Sequence, residues 1–335
     1  MRRFILALVL AVPCIAGAQT TYRVTPDTFF NTLDRRHPVV RRIKPGDVVI
    51  TKTLDASGYD DRDVQRAQTG NPMVGPLFIE GAEPGDAIII HFRRIRMNRP
   101  TGWSYYRLGT FSLLPDAIER LYPNTYKMGF VRPSRANLLI WELDSARNTV
   151  KLREPVSAVS KLEFPAQPML GVVGVAPAGD FAPTSAPSDS YGGNMDFNEI
   201  REGSTVWLPV FHPGALLFVG DGHALMADGE PTGAGIETSM DVEFTTELRK
   251  GARLTNPRVE TADYIISVGS QREFVSTLDY ALKVATTDMV RWLADDYKLE
   301  PWAAHMVVGA VGEYEVVTVA GSMALKIARK HLPPR

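Results

Sequence analysis

The sequence has 335 residues, with 37 Lys and Arg against 38 Asp and Glu, so its formal net charge at pH 7 is −1. This near-neutral balance argues against non-specific binding to nucleic acid, which needs a strong excess of basic residues. The single cysteine, Cys14, lies in a predicted leader, so the mature chain has none, which excludes a cysteine nucleophile, a thiolate metal site and a disulfide.

The first predicted element is a secretory signal peptide over Met1–Ala18. Arg2 and Arg3 form its charged start, Phe4–Val12 forms its apolar stretch, and small residues precede Gln19. The apolar stretch is too short to span a bilayer, and no later run of about 20 apolar residues follows it. We therefore expect cleavage before Gln19, a periplasmic or secreted protein, and no membrane insertion of the mature chain.

The pattern of the mature chain predicts mostly short β-strands. Clusters of Gly and Pro cut the apolar runs into pieces rich in Val, Ile and Thr. Two of these pieces follow the same kind of turn, Lys44-Pro-Gly-Asp47 and Glu83-Pro-Gly-Asp86, in which the Pro and Gly positions favour type II. The strand candidates are 39–43, 47–53, 77–79, 87–95, 137–141, 150–152, 171–175, 205–209, 215–220, 240–244 and 264–268.

The stretch 98–167 differs from this pattern. It is rich in Pro, Tyr, Arg and Asn and has no clear period, so we predict an excursion from a β core at about 38–270. After the signal peptide at 1–18, the rest of the chain, 19–335, is predicted to be one domain.

The C-terminal part, 275–331, is predicted to be helical. Apolar residues recur at three- and four-residue steps over 276–294, and 302–311 and 320–330 are predicted as two further helices. The predicted fold class is therefore mainly β, of a sandwich-like or barrel-like kind, with C-terminal α-helices, and α+β overall.

The densest polar stretch follows a predicted strand and begins with Asp221-Gly-His223. Residues two apart in an extended chain point to the same side, so Asp221 and His223 are placed to converge on one ion. A carboxylate together with a neutral imidazole suits zinc or a similar divalent metal. Asp228, Glu230 and Glu237 follow on a glycine-rich segment. The alternative interpretation is a polar hairpin whose acids cap turns and whose histidine bonds to a carbonyl.

Other candidates lie on separate stretches. Glu80 ends an apolar strand and is a candidate general base or metal ligand. Gly193 and Asn194 lie in a glycine turn whose N–H groups suit an oxyanion, and Asp196 follows them; an ordinary Asx-type turn is the alternative. Asp55 closes a predicted strand and is a further carboxylate that we expect to be available to the same cleft as Glu80.

Three stretches, taken together, resemble the acetamidase/formamidase family. They are N-P-M-V-G-P-L-F-I-E-G-A-E-P-G-D at 71–86, G-G-N-M-D at 192–196, and P-V-F-H-P-G-A-L-L-F-V-G-D-G-H-A-L-M-A-D-G-E at 209–230, continued by G-I-E, which ends at Glu237. Their order and rough spacing match the family from about residue 38 to about residue 246.

The resemblance implies a β-rich fold with C-terminal helices, self-association, and metal-dependent hydrolysis of short amides such as formamide and acetamide to carboxylate and ammonia. The export signal and the 98–167 stretch depart from the usual pattern of the family and leave the substrate open. The family's acids and histidine carry over to Asp221, His223, Asp228, Glu230 and Glu237.

The hypothesis from the sequence is an exported amidohydrolase that cleaves a linear amide with water activated by a divalent metal, zinc first and calcium as the alternative. It is expected to form a homodimer or a larger homo-oligomer. The competing hypotheses are a non-catalytic periplasmic protein that binds an amide or lactam, and a structural envelope protein. The assigned residues are Asp221, His223, Glu237 and Asp55 for the metal, Glu80, Glu230 and Asn194 for catalysis, and Gly193, Asp196 and Asp228 for the substrate.

Overall fold

The computed structural model describes residues 19–105, 112–121, 138–153, 162–270 and 277–334. The predicted signal peptide and parts of the 98–167 stretch lie outside the described residues. Within the described residues the chain forms two large β-sheets and a few helices, most of them near the C-terminus. This confirms the predicted fold class. None of the described helices is long and apolar enough to cross a membrane.

Nine of the described strands, numbered along the whole chain, form the first sheet. They are β1 (Thr21–Val24), β3 (Val48–Lys52), β5 (Ala87–Met97), β13 (Thr205–Pro209), β16 (Met240–Arg249), β17 (Arg258–Glu260), β18 (Tyr264–Gly269), β19 (Glu313–Thr318) and β20 (Ser322–Ala328). Their order across the sheet is β1-β3-β16-β5-β13-β17-β18-β20-β19. The long pair β5 and β16 runs through this sheet and includes a register shift between Glu243 and Phe244.

Eleven described strands form the second sheet, which carries most of the site discussed below. They are β2 (Arg41–Ile43), β4 (Met73–Ile79), β6 (Thr101–Tyr105), β7 (Leu138–Asp144), β8 (Thr149–Leu152), β9 (Glu163–Pro165), β10 (Met169–Val175), β11 (Ser188–Asp189), β12 (Gly192–Asn194), β14 (Leu217–His223) and β15 (Glu237–Thr238). The main path is β11-β12-β10-β14-β15-β6-β7-β8-β9, and β4 pairs with both β14 and β2.

The two repeated entry turns are confirmed, and they have the same internal bonding. The backbone N–H of Asp47 donates to the carbonyl of Lys44, and that of Asp86 donates to the carbonyl of Glu83, both at 3.0 Å. Each Asp carboxylate in turn accepts from the first residue of its turn, at 2.8 Å and 2.9 Å. The third residue of each turn has a φ of +91°, which favours the glycine found there.

One hydrophobic core joins the two sheets. Buried side chains of the first sheet, such as Phe92 and Phe244, belong to the same cluster as Val172 and Val219 of the second. Burial of this much apolar surface is the main source of stability for a chain without disulfides. All eleven strand candidates overlap observed strands. The 98–167 stretch differs from the prediction, because β6, β7, β8 and β9 extend the second sheet rather than leaving it.

The described helices are α1 (Pro115–Leu121), α2 (Leu278–Tyr297) and α3 (Pro301–Val311), with a short 3₁₀ turn at Arg329–His331. The helices predicted at 276–294 and 302–311 are therefore confirmed as α2 and α3. The helix predicted at 320–330 is wrong, because this segment is β20, which pairs with β18 and β19. Every residue of β20 except Lys326 is buried, so its sequence lacks the alternation that separates a strand from a buried helix.

A buried ion pair attaches α2 to the first sheet. Asp288 of α2 accepts from Arg258 Nε at 2.8 Å and Nη2 at 3.0 Å, and from Ser267 Oγ at 2.9 Å. The Arg258 guanidinium also lies over the Trp292 ring, 4.6 Å from its centroid. Both charges are almost fully removed from solvent, so each depends on the other for its neutralisation.

Candidate functional site

Strand β14 places Asp221 and His223 side by side in the interior. Every residue of this strand is buried, and Asp221 has a φ of +54°, so the strand departs from regular geometry at this point. His223 lies opposite Glu237 in the β14–β15 pair. Its Nε2 atom is 3.1 Å from Glu237 Oε1 and 3.7 Å from Asp221 Oδ2. The predicted convergence of Asp221, His223 and Glu237 is therefore present.

Two more acids complete a group that we call the acidic cluster, which consists of Asp196, Asp221, His223, Glu230 and Glu237. Ligand atoms of Asp196, Asp221 and His223 lie within 4.8 Å of one another, and so do those of His223, Glu230 and Glu237. The two groups share His223, so the cluster surrounds one small volume. The sequence assigned Asp196 to the substrate, but its position is that of a candidate metal ligand.

Glycines make the room for the acidic cluster. A Cβ atom on Gly171 would lie 2.4 Å from Asp196 Oδ1 and 2.6 Å from Asp221 Oδ2. A Cβ atom on Gly235 would lie 2.7 Å from the His223 ring. These distances are far below van der Waals contact. Any larger residue at either position would therefore displace the acids or the imidazole.

The acidic cluster has the donor atoms that a divalent cation needs. Asp196 Oδ1, Asp221 Oδ1, Glu237 Oε2 and both ring nitrogens of His223 are buried without a hydrogen-bond partner among the described residues. Buried polar atoms without partners are costly, and buried charges are normally paired or bound to a metal. Carboxylate oxygens and an imidazole nitrogen are ligands that zinc accepts. Because most of these ligand atoms are oxygens, the set also suits calcium. The residues therefore fit a metal ion.

Burial dominates the protonation of the acidic cluster. It raises the pKa of Asp196 and Glu237, and it raises the pKa of Glu230 well above its ordinary value, with the charge of Asp196 adding to the effect. Burial lowers the pKa of His223, but the carboxylates of Glu237 and Asp221 outweigh it and raise that pKa well above its ordinary value. Within the described residues, no Lys or Arg pairs with these acids, so protons or a cation must offset their charge.

Two asparagines orient the acids. Asn194 Nδ2 donates to Asp196 Oδ2 at 2.6 Å, and Asn71 Nδ2 donates to Asp221 Oδ2 at 3.0 Å and to Asn194 Oδ1 at 3.2 Å. Each of the two aspartates therefore has one oxygen held by an amide and the other free within the cluster. The sequence did not predict Asn71. Its position between Gly70 and Pro72 is the sequence feature that could have indicated it. Asparagine tolerates the φ of +52° that this residue adopts there.

The structure places Asp55 outside the acidic cluster, which corrects its assignment as a metal ligand. Asp55 Oδ2 accepts from Arg99 at 2.6 Å and from Trp103 Nε1 at 2.9 Å, while Oδ1 accepts from the backbone N–H groups of Ser57 and Tyr59. Both oxygens are therefore occupied by protein donors. The role of this buried carboxylate is to fasten the strand β6, whose Trp103 pairs with Glu237.

Glu80 is also misplaced by the sequence prediction. Its side chain is exposed, one residue beyond the end of β4. The β4–β14 register sets Met73 against Gly220, so Asp221 lies near the opposite end of β4. Seven residues of strand separate the two ends by roughly 20 Å. Glu80 therefore cannot serve as base or ligand at the cluster.

Two further assignments are corrected by existing bonds. The backbone N–H of Asn194 donates to the carbonyl of Pro187 at 3.0 Å, so it is not available to an oxyanion beside Gly193. Asp228, assigned to the substrate, is exposed and accepts from Asn198 Nδ2 at 2.6 Å. Gly193 itself is buried in β12 with a φ of +91°, where its backbone supports the turn that leads to Asp196.

Comparison with known proteins finds relatives named acetamidase and formamidase. The acetamidase of Mycolicibacterium smegmatis is 28% identical over 242 residues, and the formamidase of Methylophilus methylotrophus is 25% identical over 238 residues. Each alignment covers 59% of this chain and 58% of the relative, so the chain spans under two thirds of the length of these relatives.

The solved structures extend the similarity over nearly the whole fold. The crystal structure of an acetamidase from Yersinia enterocolitica has a TM-score of 0.77 and 27% identity, with 95% of both chains covered. A family model described as the Acetamidase/Formamidase family matches residues 20–185 and 179–298. This match spans most of the chain and confirms the resemblance seen in the sequence motifs. The protein therefore belongs to the acetamidase/formamidase family.

Proposed function

We propose that the protein hydrolyses the C–N bond of a linear amide to a carboxylate and ammonia or an amine, with a divalent cation held in the acidic cluster. The observation that carries the proposal is the buried set of unpartnered ligand atoms on Asp196, Asp221, His223 and Glu237. The relatives named acetamidase and formamidase support the type of reaction. Zinc is the preferred ion, with calcium as the alternative.

The cluster residues that hold the cation are the three acids with free oxygens and the histidine. A bound divalent cation supplies a Lewis acid for the amide carbonyl and lowers the pKa of a water molecule. Asn71 and Asn194 keep one oxygen of Asp221 and of Asp196 engaged, so the other oxygen of each points into the cluster. The site is therefore preorganised before any ligand enters.

Glu230 is the candidate proton carrier. One oxygen of its carboxylate lies within 4.8 Å of a ligand atom of His223 and of Glu237, so a water molecule inside the cluster would be within its reach. It accepts a proton from that water and returns it to the leaving nitrogen, which is too basic to depart without protonation. The burial that raises its pKa favours this exchange, because a strongly acidic carboxyl would not retain the proton between the two transfers.

Metal depletion tests the proposed function. Removal of bound metal with a chelator is expected to stop ammonia release from formamide, acetamide and larger amides, and zinc or calcium added back should restore it. A thermal unfolding curve of the depleted protein serves as the control for folding. Full activity of a protein in which elemental analysis finds no metal would contradict the metal assignment. Tight amide binding without ammonia release would favour the binding-protein alternative.

Asn71 offers a second prediction. Replacing it with glycine removes the side-chain amide and keeps the positive φ. Asp221 then loses a donor, so zinc affinity measured by titration calorimetry is expected to fall about 10- to 100-fold. The control variant is Asn256→Ala, because Asn256 is only partly buried and its amide donates to the neighbouring Thr255. Wild-type affinity in Asn71→Gly would contradict the orienting role.

We further propose export and self-association. Export rests on the sequence of residues 1–18, and N-terminal sequencing of the mature protein should give Gln19 as its first residue. Self-association is supported by α3, which has no charged residue and exposes Trp302 and Met306 four residues apart on one face. Light scattering after size exclusion is expected to give a dimer or larger assembly, and a monomer at micromolar concentration would contradict this.

A further inference from the structure

The tip of the C-terminal hairpin, formed by β19 and β20, contacts the turn that carries Glu230. The backbone N–H of Val319 donates to the carbonyl of Gly229 at 2.7 Å, and Thr318 forms a parallel bridge with the same glycine. The hairpin belongs to the first sheet, whereas the other residues of the acidic cluster come from the second sheet or its connections. It also lies beyond residue 298, where the family match ends.

The Glu230 turn also contacts other segments, because Asp228 accepts from Asn198 Nδ2 at 2.6 Å and the carbonyl of Pro231 accepts from Ser112 Oγ at 3.0 Å. Glu230 has a φ of +45°, a conformation that L residues seldom adopt without help from their surroundings. Its N–H donates to Ala227 at 3.2 Å, and its carbonyl accepts from Gly233 at 2.8 Å, so both bonds stay within the same short loop. The bond from Val319 is therefore an attachment of this loop to a rigid strand pair.

The side chains around Gly229 fit closely. A Cβ atom on Gly229 would lie 3.1 Å from Val319 Cγ1, so the hairpin tip packs directly on this backbone. A second link lies nearby, where Lys326 of β20 pairs with Glu315 at 2.8 Å and reaches Glu199 at 3.4 Å. Glu199 is three residues after Asp196, so the hairpin is connected to both loops that flank the cluster.

We propose that Val319 is a positioning residue, whose backbone N–H holds the Glu230 turn so that the Glu230 carboxylate faces His223 and Glu237. The proposal rests on the proposed function for the role of Glu230, but the contact itself does not. If the hairpin holds the turn, breaking one backbone bond at residue 319 loosens residues 227–233 and misplaces the proton carrier. The other four residues of the acidic cluster, which would hold the cation, are left in place.

The hairpin allows that one bond to be removed selectively. The loop is a β-turn in which the N–H of Gly321 donates to the carbonyl of Thr318 at 3.1 Å, and Val319 is its second residue. Proline is favoured at this position of a turn, and the preceding residue, Thr318, is extended, as a residue before proline prefers. Val319→Pro therefore keeps the hairpin and removes the donor to Gly229. Val319→Ala removes most of the side chain and keeps the donor.

The experiment compares Val319→Pro, Val319→Ala and wild type by amide hydrogen exchange and by steady-state kinetics. In Val319→Pro, exchange within 227–233 should become about 10-fold faster while 322–328 stays unchanged, and kcat for ammonia release should fall about 10-fold with KM within about twofold. Val319→Ala should stay within about twofold of wild type in both. A merely structural role would lower the unfolding temperature and leave kcat of the folded fraction unchanged.

Each outcome decides the proposal. Unchanged exchange at 227–233 in Val319→Pro overturns the contact, and faster exchange with wild-type kcat overturns the positioning role. If wild type releases no ammonia from any amide, the proposed function fails, while exchange still decides the contact. If Val319→Pro does not fold, the test is instead amide hydrogen exchange of the wild-type protein, measured with and without zinc. Zinc should then slow exchange at 227–233 and at 319 together, and an unchanged rate at 319 overturns the proposal.

Discussion

Replacing His223 with alanine is expected to abolish binding of the divalent cation and to lower kcat for ammonia release about 1,000-fold. Among the described residues, His223 is the one shared by the two groups of ligand atoms in the acidic cluster; its Nδ1 atom is buried without a hydrogen-bond partner, and its Nε2 atom faces the Glu237 carboxylate at 3.1 Å. Its loss removes the nitrogen ligand and leaves carboxylates without a neighbouring imidazole. A deficit of several kcal/mol in the transition state corresponds to a loss of this size.

The matched control for this variant is His305→Ala. His305 lies on α3, where its side chain is exposed. The His305→Ala variant should keep the zinc affinity and kcat of the wild type. The comparison shows whether the effect of His223→Ala comes from losing a metal ligand or from losing any histidine. Near-normal turnover in His223→Ala would remove the acidic cluster from the reaction and return the hydrolysis to residues elsewhere in the chain.

Replacing Asp288 with alanine is expected to lower the free energy of unfolding by about 3–5 kcal/mol, because it leaves the Arg258 guanidinium buried without its counter-ion. The same change removes the acceptor of Ser267 Oγ. Urea unfolding followed by tryptophan fluorescence measures the loss, since Trp292 lies against the Arg258 side chain. The effect on stability is expected to exceed that of any single exposed ion pair.

A double variant distinguishes the loss of the ion pair from the loss of packing. Arg258→Met with Asp288→Leu removes both charges and fills the space, so most of the stability should return. Arg120→Ala breaks the exposed pair with Asp116 on α1 and should change stability by about 0–0.5 kcal/mol. If the double variant is as unstable as Asp288→Ala, the uncompensated charge is not the cause.

The sequence supports the prediction of local features of the site. Asp221 and His223 are two residues apart on a strand, so their common direction follows from strand geometry alone. The helices α2 and α3 were predictable from their own residues, which contain their periodicity. Each of these predictions needs information from one short segment. Glu237 was assigned through the resemblance to the family, and the structure places it opposite His223 in the β14–β15 pair.

The incorrect predictions concern contacts between distant segments. Asp55 and Glu80 both follow apolar strands, as a site acid does, but one meets Arg99 and the other faces solvent. Asn71 was missed because its partner Asp221 is 150 residues away in the chain. A carboxylate takes its role from the donors that the fold brings to it. Those donors are not encoded beside it in the sequence.

Gly171 shows that the site depends on the absence of a side chain at one position as much as on the acids and the imidazole at the others. No list of acids and imidazoles would include it, since it has no donor atom and no charge. Yet Asp196 Oδ1 and Asp221 Oδ2 can take their positions because this residue ends at its Cα. A relative with every ligand residue intact and alanine at this position would match the chemical motif with its acids displaced. Recognition of such sites from ligand residues alone would therefore include chains whose acids cannot converge.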